Sequence, residues 1–198
     1  MKIIEQTYSW DSSLANRNQT KYIILHHRAG NGDVQSIHQT HLANGWSGIG
    51  YHFYVRKDGT IYRGRPLETV GAHCTGKNSE SIGICFEGNL MNEVMPDKQI
   101  RAGRELIEYL RGIYPYAELK THSNFNATSC PGDNFPYEEI KAGKVKKELI
   151  SANDIIWELM HGKLKVEISD VDRAVDALEK AKTEGSSLYW ILRKIVNK

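Results

Sequence analysis

Three side chains in this sequence could together hold a metal ion and hydrolyse a bond. The segment Thr121 to Gly132, Thr-His-Ser-Asn-Phe-Asn-Ala-Thr-Ser-Cys-Pro-Gly, sets His122 and Cys130 at the two ends of a short loop. Far upstream, Tyr22-Ile23-Ile24-Leu25-His26-His27 is apolar, partly β-branched and ends in two histidines. That is the pattern of a buried strand delivering an imidazole at its tip. Two imidazoles and a thiolate form a ligand set for a catalytic Zn2+, with the fourth position left for water. Adjacent strand residues point to opposite faces, so only one of His26 and His27 can face such a site, and the other must pack or bond elsewhere. A free cysteine on its own reads equally well as a small buried hydrophobe. Cys130, however, sits in Ala-Thr-Ser-Cys-Pro-Gly, a loop context that exposes a thiolate. If the three residues meet, the chain is a metal-dependent hydrolase.

The elements that must position these residues follow from pattern. Tyr22–His27 predicts a strand, and Asp33–Asn44 a helix with Val34, Ile37, His41 and Leu42 near helical spacing. Gly50–Arg56 alternates, Lys57-Asp58-Gly59-Thr60 turns, and Thr60–Arg63 returns, a hairpin signal because Asp-Gly suits the tight turn. Ser81–Phe86 is a second apolar run, and Asp97–Tyr114 an amphipathic helix with Ile100, Leu106, Ile107, Leu110 and Ile113 on or near one face. Strands mixed with helices at these spacings predict an α/β fold, a central mixed β-sheet flanked by helices.

The pattern changes after Pro136. Lys141, Lys144, Lys146 and Lys147 form a basic connector, which divides a domain of residues 1–145 from a module of residues 151–198. Three helical stripes follow and no strand: Ala152–His161, Asp170–Thr183 and Ser187–Val196. Gly162 and Gly185 are stops and Ser169 a plausible N-cap. With eight Lys/Arg against eight Asp/Glu, this module is neutral, and its apolar stripes predict a small three-helix bundle or a docked unit.

Composition bounds the partners. The length of 198 residues suits one medium domain with a small appendage, and 40% hydrophobic with 25% charged residues is ordinary for a globular chain. A formal charge of +2 is too small to point to nucleic acid. No apolar run approaches the ~18 residues of a transmembrane helix. Met1-Lys2-Ile3-Ile4-Glu5-Gln6 lacks a continuous apolar core, so the sequence predicts no signal peptide. Three dispersed cysteines do not make a disulfide framework and fit a reducing compartment.

Taken in order, Ile-Leu-His-His at 24–27, Gly-Trp-Ser-Gly-Ile-Gly-Tyr-His-Phe at 45–53, Arg-Lys-Asp-Gly-Thr-Ile-Tyr-Arg-Gly-Arg at 56–65, Gly-Ala-His at 71–73, Asn-Ser-Glu-Ser-Ile-Gly-Ile at 78–84 and His122 to Cys130 with Pro-Gly behind resemble a known family. Over about residues 20–137 the chain is similar to zinc-dependent N-acetylmuramoyl-L-alanine amidases of type 2, in the peptidoglycan recognition protein-like superfamily, which includes many phage endolysins. The resemblance implies that His26, His122 and Cys130 are the Zn2+ ligands. It implies that the Tyr51 hydroxyl lies beside the metal, and that Thr128 donates towards the developing oxyanion, where some phage members carry lysine. It places His73 and Asn78, and Trp46 as an alternative to a core position, along a substrate groove.

The chain also departs from the pattern. Cys85 stands where intracellular recycling members carry glutamate, so no base is available there. Glu87, by strand alternation, could share its face but is not assigned a catalytic part. Ser123-Asn124 replaces a frequent Arg-Asp, which bears on the contacts behind the second histidine. His38, His41, His52 and His161 read as structural or solvated. The implied activity is cleavage of the amide between N-acetylmuramic acid and L-alanine in peptidoglycan, by an endolysin of a phage or prophage with a Gram-positive host. It would be made in the cytoplasm and act on the wall after release at lysis, with the helical module targeting the wall or self-associating. Two other readings stand beside it: a non-catalytic peptidoglycan-binding module, against which the complete ligand set counts, and a cytoplasmic muropeptide-recycling amidase, against which Cys85 and the helical module count.

Overall fold

The computed structural model describes residues 1–142. The three helices expected between residues 152 and 196, His161 and most of the basic connector lie outside the described residues. Six strands, β1 (Ile3–Ile4), β2 (Tyr22–His27), β3 (Phe53–Val55), β4 (Ile61–Arg63), β5 (Ser81–Phe86) and β6 (Glu118–Thr121), form one sheet in the order β1-β4-β3-β5-β2-β6. Only the β3–β4 hairpin is antiparallel; the other neighbours run parallel. The helices are α1 (Val34–Ala43), α2 (Asp97–Ile113) and α3 (Tyr137–Lys141). This is the mixed α/β sheet that the sequence predicts.

Register decides which side chains share a face. His26 on β2 aligns with Cys85 on β5, which aligns with Tyr54 on β3. One residue back, Leu25, Ile84 and Phe53 align and point to the opposite face. That second face is the main core, where Ile23, Leu25, Ile82, Ile84 and Phe86 meet Leu106, Ile107 and Leu110 of α2. At about 25 cal/mol per Å2 of apolar surface removed from water, such a layer is the chief source of stability. The first face carries a smaller cluster of Val34, Ile37, Ile49, Tyr54 and Cys85 under α1.

Helix boundaries follow local chemistry. Asp33 caps α1, its carboxylate accepting from the Ser36 amide at 2.7 Å, which satisfies one of the orphan N–H groups of the first turn. The β3–β4 turn closes where expected, with Arg56 N donating to Thr60 O at 2.9 Å and Gly59 at φ +87°. The α2 stripe is buried as far as Leu110, but Ile113, at the last position of the helix, is 44% exposed. Lys141 belongs to α3 rather than to a connector.

Candidate metal centre

His26 emerges from β2 on the α1 face, and His122 begins a 3-10 turn, His122–Asn124, directly after β6. Because β6 pairs in parallel with β2, both imidazoles arrive at the same end of the sheet. The loop to Cys130 folds back, Ser123 N donating to Cys130 O at 3.0 Å. Possible ligand atoms of His26, His122 and Cys130 all lie within 4.8 Å of one another, and Cys130 Sγ is 3.8 Å from His26 Nδ1. The structure thus brings together the three residues singled out in the sequence. His27 points to the other face, where its Nδ1 accepts from Leu90 N at 3.1 Å.

Hydrogen bonds behind the imidazoles fix their tautomers. The Ser81 hydroxyl donates to the Lys77 carbonyl at 2.7 Å, so it accepts from His73 Nε2–H at 3.4 Å. His73 Nδ1 is therefore bare and accepts from His26 Nε2–H at 3.0 Å. That leaves the Nδ1 lone pair of His26 facing Cys130. A matching support stands behind His122. Asn126 Nδ2 donates to Thr75 O, and its Oδ1 accepts from His122 Nε2 at 3.0 Å and from the Cys74 thiol at 3.1 Å. Partners of this kind orient metal-binding histidines and raise their basicity.

Electrostatics favour the same occupant. Burial first, then the charges of His122 and His27, holds His26 well below the usual histidine range. Burial likewise lowers His122, against the opposing Asn126 bond. Both rings are thus neutral with lone pairs available. Burial pushes the Cys130 thiol up to about 11, against a bond from His27 N. Such a thiol ionises when a cation compensates it. Two neutral imidazoles and one such thiol, each held from behind, fit a divalent metal.

Comparison with known proteins agrees with this geometry. Residues 16–133 match the family described as N-acetylmuramoyl-L-alanine amidase. The chain belongs to the N-acetylmuramoyl-L-alanine amidase family. The amidase LysC from Clostridium intestinale is a similar solved structure, 45% identical with a TM-score of 0.70, covering 72% of this chain and 96% of that one. The endolysin of Enterobacteria phage K11 is 34% identical over 124 residues, 58% of this chain and 82% of the relative. Drosophila PGRP-LB shares the fold at 26% identity and a TM-score of 0.64, covering 69% of this chain and 91% of that one. The protein is an amidase that hydrolyses peptidoglycan, and of the three readings of the sequence the amidase of endolysin type is the one these similarities support.

Around the candidate ligands of the amidase, Tyr51 packs its ring 5.2 Å from that of His26. Burial, then the nearby thiols Cys85 and Cys130, raises its hydroxyl well above the usual phenol range, so it stays a proton donor. Thr128 is exposed on the loop, and its hydroxyl oxygen accepts from Cys130 N at 3.2 Å. His73, expected along a substrate groove, is 8% exposed and lies beneath His26 instead. Gly83 makes room for it, since a Cβ there would come within 2.5 Å of the ring. Asn78 serves the same layer, its Oδ1 accepting from His73 N and Cys74 N at 2.8 and 2.9 Å. Trp46 is 45% exposed and stacks edgewise on His41 at 4.6 Å, which in turn packs on Tyr51. Glu87 is committed elsewhere, accepting from Gly32 N, Lys57 N and Arg56 Nε.

Asn126 and Ser81 were not singled out in the sequence. Asn126 stands four residues after His122, a spacing that would have drawn attention in a helix. Ser81 carried no signal. Asn124 caps the turn that bears His122, its Oδ1 accepting from Thr121 N at 2.8 Å.

Proposed function

We propose that the amidase is a Zn2+ enzyme held by His26, His122 and Cys130, acting as a phage or prophage endolysin on a Gram-positive wall. The observation that carries the metal assignment is the convergence of the three ligand atoms, with both distal imidazole nitrogens already bonded to His73 and Asn126. Similarity to phage endolysins supports the biological role. Among the described residues no helix is long and apolar enough to cross a membrane. In this reading the enzyme reaches the wall after release at lysis, and residues 151–198 serve targeting or self-association while residues 1–145 carry the chemistry.

Bound zinc would supply Lewis acidity, making water nucleophilic near neutral pH and polarising the scissile carbonyl. The protein's own residues do the rest. Tyr51, kept protonated, donates to the oxygen that becomes negative as the lactyl carbonyl carbon turns tetrahedral. Thr128 supports that oxygen from the loop side with a weaker dipole than a lysine would provide. The exposed Trp46 borders the approach of the glycan strand. As the C–N bond breaks, the L-alanine nitrogen takes up a proton and leaves as an amine. Glu87 has no part, because its carboxylate is saturated by two backbone amides and Arg56.

Metal content paired with product chemistry tests this reading on wild type and Cys130→Ser. The expected result is about one zinc per chain, new L-alanine amino termini and no new reducing sugar ends, all lost in the variant. Zinc-free protein that binds wall and releases neither group would overturn it. Walls of Gram-positive and Gram-negative origin, compared side by side, test the host assignment.

A further inference from the structure

Next to Tyr51 lies a cleft of about 270 Å3, bordered by Arg28, Asn31, Thr40 and His41. Tyr51 belongs both to this cleft and to the metal centre, with its ring 5.2 Å from that of His26. The cleft is therefore the concavity adjoining the reacting bond.

Arg28 is built into that cleft. It leaves β2 two residues after His26. One guanidinium nitrogen donates to the Asn31 carbonyl, and the other to Ser36 Oγ at 2.9 Å. The group lies over Gly32, where a Cβ would come within 2.1 Å of Nη1 and φ is +137°. Gly32 is thus favoured by its backbone conformation, and its missing Cβ leaves the guanidinium its present place. Two neutral oxygens and a bare α-carbon hold the fork still, and no carboxylate neutralises it. Arg28, like Arg17, Arg65, Arg101 and Arg111, has no ion pair among the described residues, unlike Arg56, Arg63 and Arg104, which pair with Glu87, Glu5 and Glu139; of the unpaired arginines, Arg28 is the one that lines the cleft beside Tyr51. Its charge is felt at Tyr51, Tyr54, Cys85 and His41 alike.

We propose that Arg28 is a carboxylate-recognition residue that reads an acidic group on the peptide stem of the substrate. The proposal rests on the amidase reading. A planar guanidinium held in one orientation matches a carboxylate through parallel N–H···O bonds. The chemistry of the scissile bond then assigns the cleft to one side of it. The acyl side of a muramoyl–L-alanine amide carries a sugar whose only carboxyl is consumed in the amide. The amine side carries the peptide, and the first free carboxylate beyond L-alanine is that of the γ-linked glutamate at the second stem position. Two extended residues span ~7 Å, a reach suited to a neighbouring cleft. Walls in which this carboxylate is amidated offer no charge for Arg28, so the residue sets a preference between the two chemistries.

The test uses the full-length chain and two muropeptide fragments, identical except that the second stem residue carries a free carboxylate or its amide. For wild type, kcat/KM for the acid exceeds that for the amide by about tenfold, the scale of one charged hydrogen-bonding partner. In Arg28→Gln the ratio falls to about one, through loss on the acid. Arg28→Lys lies between, since an ammonium keeps the charge without the fork. Metal content and circular dichroism establish that the variants fold. A wild-type ratio near one, or a loss in Arg28→Gln that is equal on both fragments, overturns the proposal. If wild type cleaves neither fragment, the amidase reading fails. Calorimetric binding then still decides on Arg28: tighter binding of the acid, lost in Arg28→Gln, upholds it, and equal binding overturns it.

Discussion

The two faces of the central sheet are built from different materials. Towards α2 the sheet presents Ile23, Leu25, Phe53, Val55, Ile82, Ile84 and Phe86, an apolar layer packed on Leu106, Ile107 and Leu110. Towards α1 the apolar cluster is small, and the buried space is shared with His26, His38, His41, His52 and His73. On this face imidazoles replace aliphatic packing with directed bonds. His38 Nδ1 accepts from Ile49 N, His41 Nδ1 from Gly50 N and His52 Nδ1 from Gly83 N, at 3.1, 2.9 and 3.0 Å. One face supplies cohesion without regard to direction; the other trades some of that cohesion for fixed orientations, which a metal site needs.

Acid is the strongest way to break this contrast, because the buried imidazoles it must charge, His27 apart, lie on one face. Burial lowers His52 to about 3 and His41 to about 4, while unfolded histidine titrates near 6.5. Between these values the unfolded chain binds protons that the folded chain refuses. Stability is therefore whole above about pH 6.5 and is lost as pH falls towards 4 and 3, by at most about 1.4 kcal/mol per pH unit for each ring. Urea midpoints of chelator-treated protein at pH 7 and 5 measure the loss. His52→Gln, which keeps an acceptor but cannot charge, flattens the dependence. A midpoint indifferent to acid, or equally steep in the variant, would show that these rings are not the weak point.

The opposite face breaks by deletion of volume. Leu106 is fully buried in the α2 layer, and Leu106→Ala costs about 2–5 kcal/mol as cavity and transfer terms combine. Denaturant unfolding reports the cost. On the proposed zinc reading, the protein that remains folded binds zinc with wild-type stoichiometry, since none of the three candidate ligands lies on that face. Loss of metal in folded protein would mean that the two faces act as one unit.

The behaviour of His73 sharpens the comparison within the site face. His73→Ala removes the acceptor behind His26 and weakens metal affinity by about 10–100-fold, read by chelator competition. His73→Gln restores part of it, because an amide oxygen can accept from His26 Nε2–H. Unchanged affinity in both variants would reduce His73 to filler over Gly83.

The same division governs what the sequence disclosed. The α2 face was legible, since β2 and β5 are continuous apolar runs buried on both sides and α2 carries a one-sided apolar stripe. The hairpin was legible from Asp58-Gly59. The strand Glu118–Thr121 passed unnoticed because it sits at a sheet edge with only Leu119 buried. β1 and α3 are too short to show a period. At the site, His26, His122 and Cys130 could be read because their chemistry is intrinsic to their type. The supporting layer could not, since Asn126, Ser81 and the buried place of His73 depend on which loops meet. The glycines at 71 and 83, flanking His73 in space, hinted at a ring needing room, but only the fold shows whose ring it is.

The smallest effect concerns Asn124, two residues from Asn126 on the same loop. The two asparagines do different work. Asn126 bonds the His122 ring, whereas Asn124 Oδ1 accepts from the residue before the turn, from the Thr121 backbone N at 2.8 Å and the Thr121 hydroxyl at 3.1 Å. Replacing an N-cap residue costs about 0.5–2 kcal/mol, and the exposed Asn124 is the reciprocal partner of a capping box whose N-cap is Thr121, so its share lies at the low end. Asn124→Ala therefore lowers stability by about 0.5–1 kcal/mol and changes metal affinity only slightly, because the ring keeps its own partner. Asn126→Ala does the reverse, leaving the backbone turn capped while releasing the imidazole and the Cys74 thiol. Unfolding midpoints and zinc competition on the two variants should thus separate in opposite senses. If both lose metal equally, the turn rather than the ring contact orients His122, and orientation on this face belongs to the backbone.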